Sequence, residues 1–184
     1  MNVDVITTTA AEQLVWVFGY GSLIWDGWET ALGCLKREAA TLPGYRRSFD
    51  KLSQRNWGTK LAPCPTLNLQ ADPSASCRGM SFAFPNAIRN SLLDYLARRE
   101  GKNFALRSCL IRFDSGAEVE ALVAMYEGRN LCGDISLAER VRMVLSARGT
   151  DGTGIDYVLG LATKLDELGI DDPAVRELHA ALSS

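Results

Sequence analysis

A single histidine, His179, stands in the 184 residues of this chain. That scarcity excludes a metal site built on several imidazoles. It also makes a Ser-His or Cys-His catalytic pair depend on one residue near the C-terminus. In a helical tail His179 reads as a surface or packing residue. The five cysteines, Cys34, Cys64, Cys77, Cys109 and Cys132, include no Cys-x-x-Cys pair, so metal spacing is absent. Their odd number and wide separation read as free thiols in a reducing compartment. Cys34 and Cys64 are read as ordinary thiols, since nothing in their surroundings signals a lowered pKa. Lysine and arginine are missing from the first 14 residues, and the apolar run that follows is too short for a signal core or a membrane span. Twenty basic residues stand against 22 acidic ones, a net charge of -2, so neither a nucleic-acid surface nor a polybasic membrane face is indicated. The expectation is a cytoplasmic protein with no nucleic-acid partner and no membrane partner. Oligomeric state is not legible.

The length suits one domain with a core of its own. Residues 1–13 are small and polar, with Thr7-Thr8-Thr9, and read as a flexible lead-in to a single domain over 14–184. An apolar run from Leu14 predicts a buried strand. Further strands are predicted over Cys34–Leu42 and Tyr45–Ser53, divided by a turn at Pro43-Gly44. Arg46, Arg47 and Lys51 read as a solvated face, though one of them can border a pocket. Arg55 to Pro65 is irregular because its prolines cannot sit inside a ladder. Thr66–Gln70 and Cys77–Phe84, separated by Ala71-Asp72-Pro73-Ser74, read as the two arms of a hairpin. Ile88, Leu92, Leu93 and Leu96 recur at helical spacing after Pro85-Asn86, and Gly101 stops that helix. Phe104–Phe113 and Val119–Tyr126 are two more strands. Helices follow: one after Ser136, which forms a capping box with Glu139, one from about Gly154 to Gly169, and a short last one from Asp172-Pro173. This order predicts an α+β fold, a mostly antiparallel sheet curled into a small barrel, with flanking helices and a helical C-terminal segment.

The organising stretch is Val15-Trp16-Val17-Phe18-Gly19-Tyr20-Gly21-Ser22-Leu23-Ile24-Trp25. Its two glycines permit a sharp turn and the approach of a ligand without an intervening Cβ. Backbone N–H groups in such a turn converge on an anion, so one reading is a small carboxylate pocket. The other is a tight turn with no ligand. Ile24 stands where a dinucleotide fingerprint needs its third glycine, and no lysine follows for a phosphate loop, so nucleotide binding is disfavoured. Downstream, Glu100 follows Arg98-Arg99 at a helix exit, where the helix dipole disfavours a carboxylate. Taken alone, the ordinary reading is a solvated Arg99–Glu100 cluster.

Together these segments resemble the ChaC-type γ-glutamylcyclotransferase family. Val17 to Trp25 resembles its opening motif, and Leu96-Ala97-Arg98-Arg99-Glu100-Gly101 resembles the segment that carries its catalytic glutamate. The tail resembles it in Ala147-Arg148-Gly149, in Gly152 through Asp156-Tyr157-Val158, and in Leu168 to Asp172. The resemblance implies a γ-glutamylcyclotransferase-like fold. It implies an enzyme that releases 5-oxoproline from a γ-glutamyl compound with no metal and no cofactor, glutathione being the default substrate. The substrate's own α-amine attacks its γ-carbonyl, so no enzyme nucleophile is needed. By resemblance Glu100 is the general base and acid, and Tyr20, Gly21, Ser22 and Leu23 hold the substrate's carboxylate or oxyanion. Tyr126 is a candidate pocket residue, displaced two positions from the family's tyrosine. A further departure is Trp57 before Gly58-Thr59, where many glutathione-degrading members have arginine; Phe104 stands where the family often has tyrosine. An indole in place of a guanidinium removes a bidentate carboxylate partner and adds an apolar wall. Trp57 is therefore a candidate substrate-binding residue on the leaving-group side. The alternatives are a cyclotransferase for another γ-glutamyl amide or peptide, and a non-catalytic module that binds a γ-glutamyl metabolite.

Overall fold

β1, Leu14–Gly19, has the β-branched and aromatic side chains of a buried strand, and Val17 and Phe18 are almost wholly enclosed. In this computed structural model the described residues are 14–24 and 26–183. The expected lead-in, 1–13, lies outside them, as does Trp25. After β1 come a short 3-10 turn, Ser22–Ile24, and a single helical turn α1, Trp28–Ala31. Two long strands follow, β2 (Lys36–Ser53) and β3 (Cys64–Pro85), then α2 (Arg89–Glu100). β4 (Phe104–Phe113) and β5 (Glu118–Tyr126) complete the sheet, and α3 (Leu137–Ser146), α4 (Gly154–Glu167) and α5 (Pro173–Leu182) complete the fold.

The strands close into a barrel in the order β1-β3-β2-β4-β5. All pairings are antiparallel except β1 with β5, which runs parallel and closes the barrel through Trp16–Ala121, Val17–Leu122 and Phe18–Val123. The expected α+β class with a mostly antiparallel barrel is thus the one observed.

Two elements differ from the sequence reading. Residues 36–53 form one strand, not two, and so do residues 64–85. Thr66–Gln70 and Cys77–Phe84 are not hairpin partners. Both pair with β2, the first with its C-terminal half and the second with its N-terminal half. The turn signals mark a bulge. Pro43 pairs with Ser76 and Tyr45 with Ala71, so residues 72–75 swing out opposite Gly44 alone, whose φ is 77°. Asp72 closes the excursion by accepting from the Ser74 N–H and hydroxyl. Pro73 sits in this unpaired stretch, where its missing N–H costs no ladder bond. The Ser136 hydroxyl accepts from Glu139 N–H as expected of an N-cap, but the full reciprocal capping box is at Thr153 and Asp156, ahead of α4.

One apolar cluster joins barrel and helices: Val15, Val17 and Phe82 from strands meet Leu96, Val144, Leu161 and Leu178 from helices. No helix among the described residues is long and apolar enough to cross a membrane. All five cysteines are free. Burial pushes the Cys64 thiol up to about 12, which leaves it protonated and inert.

Candidate functional site

The loop after β1 is held by its carbonyls. Tyr20 O accepts from Arg47 Nε at 2.8 Å, Leu23 O from Trp28 Nε1 at 2.9 Å, and Ile24 O from Arg37 Nη2 at 2.6 Å. Gly21 O accepts from Ile24 N–H. The N–H groups of Gly21, Ser22 and Leu23 have no acceptor among the described residues. Neither Gly19 nor Gly21 has a positive φ, so the loop does not use the glycines' left-handed range. It uses their size. A Cβ at Gly19 would press the Leu23 Cβ at 3.0 Å, and one at Gly21 would meet only Leu67 Cδ1, at 3.8 Å.

This loop forms one wall of a cleft of about 400 Å³. The structure brings Tyr20, Gly21, Ser22, Leu23, Trp57 and Glu100 to that cleft together. Glu100 arrives at the end of α2, anchored by the fully buried Leu92 and Leu96. Its side chain is 16% exposed, and Arg99 Nε stands 3.5 Å from its Oε1, an ion pair too long for a good hydrogen bond. Burial pushes the Glu100 carboxyl above the usual carboxylate range, while Arg99 and Lys51 hold it down. Arg99 is itself tied to Asp26 and to the Tyr95 hydroxyl. The Glu100 carboxylate is therefore a largely desolvated group facing a cavity, not a member of a solvated surface cluster.

Trp57 sits on an irregular segment clasped by the loop before α4. Thr150 N–H donates to Arg55 O and Asp151 N–H to Asn56 O. Gly149 permits this approach, since a Cβ there would fall 2.3 Å from the Asn56 backbone. The Trp57 ring packs against Tyr157, with centroids 5.2 Å apart. Phe104 lines the cleft as well.

Tyr126 is not among the lining residues. Its hydroxyl accepts from Asn130 N–H at 3.2 Å, and its ring sits edge-on to Phe104 at 5.3 Å. It backs the wall from behind. Tyr20 lines the cleft, but its hydroxyl donates to Ala124 O at 3.0 Å, and burial pushes it far above the ordinary phenol range. It acts as a neutral strut between β1 and β5.

A family model of ChaC-like proteins matches residues 15–184. The chain belongs to the ChaC-like family. Gamma-glutamylcyclotransferase 2-3 of Arabidopsis thaliana is 31% identical over 176 residues, 89% of this chain and 86% of that one. The glutathione-specific gamma-glutamylcyclotransferase of Escherichia coli K12 is 28% identical over 171 residues, 91% of this chain and 72% of that one. A crystal structure of the glutathione-specific enzyme from yeast superposes with a TM-score of 0.78 at 17% identity, covering 92% of this chain and 96% of that one. That structure shares the fold.

Within this ChaC-like cleft stand two residues that the sequence reading did not assign to it. Tyr157 lines the cleft, and its hydroxyl accepts from Leu67 N–H at 3.0 Å, which leaves its own proton to donate elsewhere. Burial pushes it, too, well above the ordinary phenol range, so it stays neutral. Its only sequence signal was its place in the tail motif. Lys51 lines the cleft and is no part of a solvated face. Arg47 also departs from that face: its side chain is fully enclosed and pairs with Asp172 at 3.0 Å. Only Arg46 of the three is exposed as expected.

Proposed function

We propose that this chain is a cytoplasmic γ-glutamylcyclotransferase that converts a γ-glutamyl compound to 5-oxoproline and a free amine. Glutathione is the first substrate to test, with 5-oxoproline and Cys-Gly as products. One observation carries the reading: a desolvated carboxylate, Glu100, lines the same cleft as a loop whose Gly21, Ser22 and Leu23 N–H groups have no acceptor among the described residues. The family and the names of its relatives support it.

The chemistry follows from those two walls. The N–H groups of Gly21, Ser22 and Leu23 receive the substrate's α-carboxylate or the developing oxyanion. The γ-glutamyl arm is then held folded, with its amine against its own γ-carbonyl, which makes ring closure intramolecular. Glu100 accepts the proton that the amine loses as its nitrogen bonds to the γ-carbon. The bond from that carbon to the leaving nitrogen then breaks, and Glu100 returns the proton to the departing amine. The charges balance without an external nucleophile. Tyr20 and Tyr157 stay neutral and shape the cleft, and Tyr157 has a hydroxyl proton to donate rather than a charge.

Trp57 favours a second reading of the leaving group. Its indole supplies an apolar face, which suits γ-glutamyl amides and peptides other than glutathione. Release of 5-oxoproline from glutathione, γ-glutamyl dipeptides and γ-glutamyl amides tests both. Turnover of glutathione alone supports the first reading, and turnover of other compounds in its place supports the second. Binding without turnover of any of them leaves a γ-glutamyl sensor and defeats the enzyme.

A further inference from the structure

The ionisable groups of the cleft are almost all committed. Arg99 is divided among Asp26, Tyr95 and Glu100. Asp151 accepts from Asn56 Nδ2 and from the Thr150 hydroxyl. Lys51 is the exception. It lines the cleft, and its ammonium has no carboxylate within ion-pair distance among the described residues. Two aromatic faces hold it instead: Nζ stands 5.3 Å from the Phe104 ring centroid and 5.7 Å from that of Tyr126. Its backbone is fixed on both sides, by pairing with Thr66 in β3 and by a bridge to Leu131. A largely enclosed cation flanked by rings and open to a cavity is a site for an incoming anion.

Its place along β5 indicates which anion. The Tyr20 hydroxyl, at the loop, meets β5 at Ala124 O. The Lys51 ammonium stands over the ring of Tyr126, a residue two positions on from Ala124 and about 7 Å from it along the strand, Cα to Cα. In the orientation proposed above, the α-carboxylate lies at the loop and the leaving portion, not the γ-glutamyl head, extends toward Lys51.

We propose that Lys51 is a specificity-determining residue, whose ammonium binds a carboxylate on the leaving portion of the γ-glutamyl substrate. The cleft then selects γ-glutamyl peptides with a free C-terminal carboxylate over γ-glutamyl amides with an uncharged leaving group. This assignment rests on the cyclotransferase reading for its substrate orientation. It reconciles the two sides of the cleft: Trp57 walls the leaving portion, and Lys51 supplies the charge that a tryptophan cannot.

The test compares glutathione with its C-terminal amide, which differs only in that carboxylate. Both peptides are given to the wild type, to Lys51→Met, which keeps the stem and removes the charge, and to Lys51→Arg. Kinetic constants for 5-oxoproline release are measured, and affinities are measured by calorimetry in a Glu100→Gln background. The wild type is expected to favour the acid about tenfold or more, in KM and in affinity, as befits a charged hydrogen bond. Because Lys51 also holds the Glu100 carboxyl down, the acid limb of the pH profile for both peptides moves to higher pH in Lys51→Met. Measured above that limb, Lys51→Met erases the preference by raising KM for the acid alone, and Lys51→Arg restores it. Equal treatment of acid and amide by the wild type overturns the assignment. So does a fall in kcat shared by both peptides in Lys51→Met that persists above the acid limb, with no change in the acid-to-amide ratio of KM. If no 5-oxoproline is released, the cyclotransferase reading fails, and the calorimetric comparison still decides Lys51: a preference for the acid supports it, and equal or undetectable affinities overturn it.

Discussion

Glu100 illustrates how burial changes what a carboxylate does. On an exposed helix end it is a cheap surface charge. Enclosed at the end of α2, it is held above the ordinary carboxylate range, as the proposed proton acceptor requires. Glu100→Gln should lower 5-oxoproline release by about a hundred- to ten-thousand-fold while sparing affinity; a variant that retains wild-type turnover refutes the assignment. The ionised carboxylate is needed as base, so kcat/KM should fall as pH drops through a pKa higher than that of an exposed glutamate. Arg99 holds that pKa down, so in Arg99→Met the acid limb should move to higher pH. A limb that stays in place or moves down contradicts the proposed electrostatics. The same burial has a stability cost at neutral pH. A carboxyl whose folded pKa is raised contributes its stability at low pH and loses it as pH rises through that pKa. Glu100→Gln should therefore raise the melting temperature at pH 7, and the gain should shrink toward pH 4 as the wild-type side chain protonates. The motif order singled out Glu100 in the sequence. Its burial, on which the proposed reactivity rests, depends on the cleft that Trp57 and the loop before α4 build around it.

The loop and the two long strands carry a different lesson. β1 and its loop were legible because the apolar run and the glycines are adjacent in the chain. β2 and β3 were not legible as continuous strands, because Pro43-Gly44 and Asp72-Pro73 carry every local mark of a turn. They are instead the two sides of one bulge, visible only when the strands are paired. A register shift also falls between Ser48 and Lys51, and bulges re-aim the residues beside them. That is why a run of basic residues split three ways, with Arg46 to solvent, Arg47 to the interior and Lys51 to the cleft. Arg47 ties the Tyr20 carbonyl to Asp172, and Asp172 Oδ1 also caps α5. Asp172→Asn keeps the cap and removes the countercharge, which should cost about 3–5 kcal/mol in urea unfolding by stranding a buried guanidinium. A change under about 1 kcal/mol would show that the pair is dispensable. Gly21→Ala adds a methyl facing the cleft with room in the fold, so KM should rise with little change in melting temperature.

Barrel and helices share one core, since Leu178 of α5 belongs to the same cluster as Val15 and Val17 of β1. Leu178→Ala should cost about 2–5 kcal/mol and move a single unfolding transition. Two separate transitions would show that the helical end folds apart from the barrel. The amino-acid sequence was sufficient for the class of fold, the helices of the C-terminal half, the loop and the candidate base. Those features rest on periodicity and on residues close together in the chain, which local physics can read. Pairing decided the rest. Closure of β1 on β5, the merging of four short strands into two, the fixing of Tyr157 over Leu67 and the presence of Lys51 in the cleft all join residues far apart in sequence. A side chain's face depends on register, and register is set by the partner strand rather than by the strand itself. The candidate carboxylate was thus written in a motif, and the charge of the cleft around it was assembled by the fold.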